Sequence, residues 1–122
     1  MLRFMCRAKI HRATVTDTCL DYPGSLTLDK TLMQAADIKP FEQVQVLNIN
    51  NGYRAETYII EGAPDSGQVI INGALARWAQ KGDLLIIIAN ALADDRDLED
   101  WRVRVVHVDA DNRITGTDHA AE

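Results

Sequence analysis

The chain has 122 residues, 47% of them hydrophobic and 25% charged, with a formal net charge of −5 and a pI near 5.1. That length supports one domain over residues 1–122, with a single core and little room for an enclosed pocket. The acidic balance and the scatter of Lys and Arg weigh against nucleic acid as a partner, because phosphate binding needs a clustered basic surface.

Taken in chain order, apolar residues alternate mostly at a period of two, the signature of half-buried strands. Residues 1–10 and 13–16 read as extended; the arginines among the first seven residues leave no long apolar stretch there. Cys6 and Cys19 stand apart, outside any CxxC pair, which fits a reducing cytoplasm in which both act as small hydrophobes. Asp29 is suited to cap a short helix over residues 30–36, which Pro40 stops from running on. Val44, Val46 and Ile49 mark a strand whose alternation slips near Leu47. Asn50-Asn51-Gly52 then turns the chain into a second strand over 53–60. A short strand is expected at 68–71. Asn72 is placed to cap a helix over 74–80, with Gly82 as its stop. Residues 83–89 read as a buried strand, and the apolar run 84–93 is far too short to span a bilayer. Residues 94–101 are acidic and predict an exposed helix. Residues 103–108 form another strand, 109–112 a turn and 113 onward a short strand, with residues 117–122 frayed. The sum is a mainly β chain: a closed or nearly closed β-barrel with two or three short helices. His11, His107 and His119 are too dispersed to predict a metal site.

Chemistry enters at Gly24-Ser25, within Asp21-Tyr22-Pro23-Gly24-Ser25-Leu26-Thr27-Leu28. A serine hydroxyl can attack the carbonyl of the residue before it and turn the peptide into an ester. Loss of the serine α-proton then expels the ester, and the resulting dehydroalanine hydrolyses to a pyruvoyl group and ammonia. Glycine at position 24 permits the unusual backbone angles such an attack needs. Taken alone, Tyr22-Pro23-Gly24-Ser25 is an ordinary turn. Further along, Arg54, Glu56 and Tyr58 fall on one face of a strand and Thr57 on the other. Arg54 offers a planar fork for a carboxylate, and Tyr58 offers a phenol.

In this order and spacing, Lys9-Ile10-His11-Arg12, Gly24-Ser25, Asn51-Gly52-Tyr53-Arg54-Ala55-Glu56-Thr57-Tyr58 and Asn72-Gly73-Ala74 resemble the pyruvoyl-dependent aspartate 1-decarboxylase family, from residue 1 to about 114. The resemblance implies a double-psi β-barrel, cut between Gly24 and Ser25 into chains 1–24 and 25–122. It implies that Ser25 becomes a pyruvoyl cofactor that forms a Schiff base with L-aspartate and releases β-alanine and carbon dioxide, without metal or pyridoxal phosphate. In that pattern Gly24, Ser25 and Thr57 serve cleavage, and Tyr58 returns the proton. Arg54, Thr57, Asn72, Gly73, Ala74, Leu75, Lys9 and His11 surround the substrate, and Tyr22 lies beside the cleavage loop. The family further implies a cytoplasmic homotetramer with active sites between subunits, serving pantothenate and coenzyme A synthesis, with a maturation factor as an open alternative. The chain departs from the pattern at Leu75, where a second alanine is usual, and at Pro23, Leu47 and Val103. Leu75 raises the alternative of a different amino-acid substrate. A barrel that never matures and acts as a binding subunit is the alternative from another class.

Overall fold

The computed structural model describes residues 1–120. Nine strands follow one another as β1 (Leu2–Thr14), β2 (Asp17–Cys19), β3 (Ser25–Asp29), β4 (Gln43–Asn48), β5 (Arg54–Gly62), β6 (Val69–Asn72), β7 (Leu84–Asp94), β8 (Val103–Val108) and β9 (Ile114–Ala120). One α-helix, α1 (Lys30–Ala36), follows β3, and 3-10 turns occupy Gly73–Trp78 and Asp95–Asp97. The strands hydrogen-bond in the order β2-β6-β3-β5-β4-β7-β1-β8-β9. The circuit closes where β1 ends: Thr16 N–H donates to the Val69 carbonyl of β6 at 2.8 Å, and Val15 N–H to the Asp83 carbonyl at 2.8 Å. The mainly β expectation holds, and the closed circuit is a β-barrel.

Period-two patterning explains the core. Ile10, Leu26, Leu28, Val44, Ile59, Ile71, Leu85, Ile87 and Val106 point inward and are buried, and Leu32 and Met33 of α1 close over them. Asp29 caps α1 as the sequence predicts, its carboxylate accepting from Thr31 N–H at 2.8 Å. The same carboxylate accepts from the N–H groups of Asp65 (3.0 Å) and Gly67 (2.8 Å), which pins the loop before β6. Asn112 completes that clasp by donating to the carbonyls of Thr14 and Gly67 and accepting from Thr14 N–H.

Five expectations are corrected. The strand 1–10 and the strand 13–16 are one element: β1 runs through His11 and Arg12 by a bulge, with Arg12 at φ 68° and the register slipping between His11 and Ala13. In β4 the alternation does not slip at Leu47. Asn48, not Ile49, takes the inward position, because its amide donates to Trp78 carbonyl (3.0 Å) and Asp83 (2.9 Å) and so meets the cost of burial. Asn72 caps no helix, and residues 74–80 form only the 3-10 turn Gly73–Trp78, which ends where Asn48 and Asn51 take the Trp78 carbonyl. The acidic stretch 94–101 is not an α-helix. β7 continues through Asp94 because β1 still pairs with it, and a capping box between Asp94 and Asp97 closes one 3-10 turn. Residues 117–120 are not frayed: β9 pairs with β8 from Ile114 to Ala120, while residues 121–122 lie outside the described residues. Among the described residues, no helix is long and apolar enough to cross a membrane.

Candidate active site

The site begins where β2 hands the chain to β3. Cys19 of β2 pairs with Asn72 of β6, and Ser25 of β3 pairs with the same Asn72 from the other side. The five residues between must therefore leave the sheet, pass over β6 and return two strand spacings away. They do so through Gly24 at φ 126° and Ser25 at φ 141°. The first angle suits only glycine. The second is a strained value for a residue with a Cβ, costing about 1–3 kcal/mol and held in place by the surrounding contacts.

Those contacts are specific. Ser25 is fully buried, and its Oγ accepts a hydrogen bond from Asn72 Nδ2 at 3.0 Å. The second amide proton of Asn72 goes to Thr27 Oγ1, also at 3.0 Å. Gly73 follows Asn72 at φ 78° and lies directly under the loop. A Cβ there would stand 2.6 Å from Gly24 Cα, 2.7 Å from the Tyr22 carbonyl oxygen and 2.8 Å from Gly24 N. Glycine at 73 thus lets two backbone segments touch at the Gly24–Ser25 bond.

β5 supplies the next residues. It runs parallel to β3 with Leu26 opposite Ile59. Carried back one residue, that register sets Tyr58 level with Ser25. Burial along β5 alternates as the spacing predicts: Arg54, Glu56 and Tyr58 are exposed, and Thr57 lies on the opposite face with Ile59. Thr57 and Tyr58, with Phe41, Gln43 and Glu56, line an open cleft of about 560 Å3. Phe41 stands against the Tyr58 ring with centroids 6.4 Å apart. Arg54 lies toward the start of β5 and is not among the residues lining this cleft.

The remaining predicted residues divide. Ala74 is exposed, whereas Leu75 is half-buried and packs against the hydrophobic core. Lys9 and His11 lie on the same face of β1, which is separated from β3 in the sheet by β7, β4 and β5. His11 faces His107 of β8 edge-on, with ring centroids 5.9 Å apart. Its pKa is lowered from 6.5, first by burial and then by the positive charge of His107, Arg12 and Lys9. One protomer therefore assembles Gly24, Ser25, Asn72 and Gly73 and sets Tyr58 level with Ser25, while Lys9 and His11 stand on β1 beside His107 of β8. Thr27, Phe41 and Gln43 are not singled out by the sequence, and Glu56 is placed by it only on the face it shares with Arg54 and Tyr58. The only signal for Thr27 was its place two residues after Ser25, which puts both on one face of a strand. Among the described residues, no group of three or more His, Cys, Asp or Glu side chains is arranged to hold a metal ion.

The site is thus a buried serine behind a glycine in a β-barrel, at a strained backbone angle and under an asparagine amide. Comparison with known proteins gives the family. The model of the aspartate decarboxylase family matches residues 1–115, and the chain belongs to that family. It is 55% identical over 111 residues to the aspartate 1-decarboxylase of Dehalococcoides mccartyi strain CBDB1, covering 91% of this chain and 90% of that protein. It is also 55% identical over 113 residues to the aspartate 1-decarboxylase of Thermoanaerobacter pseudethanolicus, covering 93% and 97%. Similarity to the Moorella thermoacetica aspartate 1-decarboxylase is 52% over 115 residues, covering 94% and 90%.

Proposed function

We propose that this chain removes the 1-carboxylate of L-aspartate to give β-alanine, and that it does so with a pyruvoyl group made from Ser25. Family membership supports the reaction. The single observation that carries the cofactor is the strained, buried Ser25 after Gly24, with Asn72 donating to its Oγ. These residues fit the processing chemistry: a hydroxyl fixed beside its own peptide bond, a glycine before it, and a donor on the hydroxyl oxygen that eases loss of its proton. Once formed, the pyruvoyl carbonyl would accept the electron pair left when carbon dioxide departs.

The protein's own residues do the rest. Arg54 holds a substrate carboxylate through its guanidinium fork. Tyr58, level with Ser25, keeps a phenolic proton through binding and returns it to the carbon that lost carbon dioxide. Thr57 serves cleavage and borders the substrate, and Gly73 and Ala74 form the floor of the loop. Leu75 packs on the core, which supports aspartate over a different amino acid.

The homotetramer belongs to this reading, with Lys9 and His11 serving a site shared between copies. It is supported by the exposed Phe4 (85%) and Phe41 (77%). The double-psi path is supported by the parallel β3–β5 pair and by the crossing of residues 15–16 onto β6. A cytoplasmic setting and a role in pantothenate and coenzyme A synthesis follow from the same reading. The reaction is tested by incubating purified, processed protein with L-aspartate and following β-alanine by chromatography. Turnover of another amino acid in preference would move the substrate, and none of either would leave a binding barrel.

A further inference from the structure

The Asn72 amide has two protons and two partners, Ser25 Oγ and Thr27 Oγ1, each at 3.0 Å. Asn72 is 5% exposed and Ser25 fully buried, so water does not compete for either bond. We propose that Thr27 is a positioning residue for self-processing: its hydroxyl anchors the Asn72 amide beside the Ser25 hydroxyl. The inference rests on the processing reading above.

As Ser25 Oγ bonds to the Gly24 carbonyl carbon, it gives up its proton, and the Gly24–Ser25 C–N bond breaks as the serine nitrogen gains one. The peptide becomes an ester with no atom gained or lost. When the proton leaves, negative charge lies on Oγ before it moves to the Gly24 carbonyl oxygen. The Asn72 N–H on Oγ eases loss of that proton and fixes where Oγ stands beside the Gly24 carbonyl carbon. An asparagine side chain held by one bond alone can swing away. Thr27 sits two residues along β3 from Ser25 and is β-branched, so its side chain is restricted. Its hydroxyl accepts the second amide proton, and the amide is thereby held beside Ser25.

The test purifies each chain cold and follows cleavage at 24–25 by intact mass, with thermal unfolding measured alongside. Thr27→Val keeps the shape and removes the hydroxyl. It should slow cleavage on the order of tenfold with little change in Tm, and Thr27→Ser should restore the rate. In an Asn72→Ala background, Thr27→Val should have no further effect. Should Thr27→Val not fold, Thr27→Ala against Thr27→Ser makes the same comparison. Wild-type cleavage with an equally fast Thr27→Val overturns the role of Thr27 and leaves the processing reading standing. Equal slowing in Thr27→Ser and Thr27→Val, with lowered Tm, also overturns it, as a packing effect. A wild-type chain that never cleaves overturns both.

Discussion

At the scale of single residues, the chemistry rests on groups that are unremarkable alone and significant in place. Ser25 combines full burial, a strained φ and a donor on its Oγ, and no other serine of the chain is buried. Arg54 and Tyr58 share the exposed face of β5 and differ in what they should do when altered. Arg54→Lys keeps the charge and loses the planar fork. Cleavage should survive, and kcat/KM for aspartate should fall by an amount equivalent to roughly 2–5 kcal/mol. A near-normal kcat/KM in fully cleaved protein would return Arg54 to a solvated strand arginine. Tyr58→Phe keeps the ring against Phe41 and removes the proton. It should fold and cleave normally while β-alanine formation slows strongly; an unchanged rate would assign the proton to water or another group.

Elements decide how those residues meet. β6 ends at Asn72 and Gly73 follows it, and both meet the Gly24–Ser25 loop: one by its amide, the other by having no side chain. Gly73→Ala would set a Cβ against Gly24 and the Tyr22 carbonyl, at a φ that disfavours alanine. It should lower stability by more than about 1 kcal/mol and displace the loop, slowing cleavage. Thermal unfolding and the cleavage time course check both. Much of this layer was legible in the sequence. Asp29 declared α1 because its carboxylate has a local task, and Val103 to Val108 declared β8 by composition. The bulge at Arg12, the inward Asn48 and the pairing of β9 were not legible, because each depends on a partner distant in sequence. Asn72 misled for the same reason: a residue suited to helix capping is equally suited to hold two hydroxyls, and only β3 shows which. Gly24-Ser25 was legible only through the motifs that accompany it, and Thr27 not at all.

On the scale of the whole molecule, two properties follow. Phe4, Phe41 and Leu92 are exposed in a single protomer. Light scattering should give a tetramer, and a stable active monomer would contradict a shared site. His11 adds a pH dependence. Its folded pKa is lowered, so the unfolded chain takes up the proton first as pH falls. The stability it contributes is present above 6.5 and lost as pH falls through the lowered folded value. Thermal unfolding between about pH 7 and pH 5 should therefore fall less steeply in His11→Gln than in the wild type. The proposed enzyme makes its own catalyst, and that is measured most directly by intact mass spectrometry of the purified protein. The expected result is a fragment ending at Gly24 and a second beginning at position 25, lighter by one ammonia than a serine-headed fragment, with Ser25→Ala remaining whole. An uncut wild-type chain after prolonged warming, or a second fragment headed by serine, would contradict it.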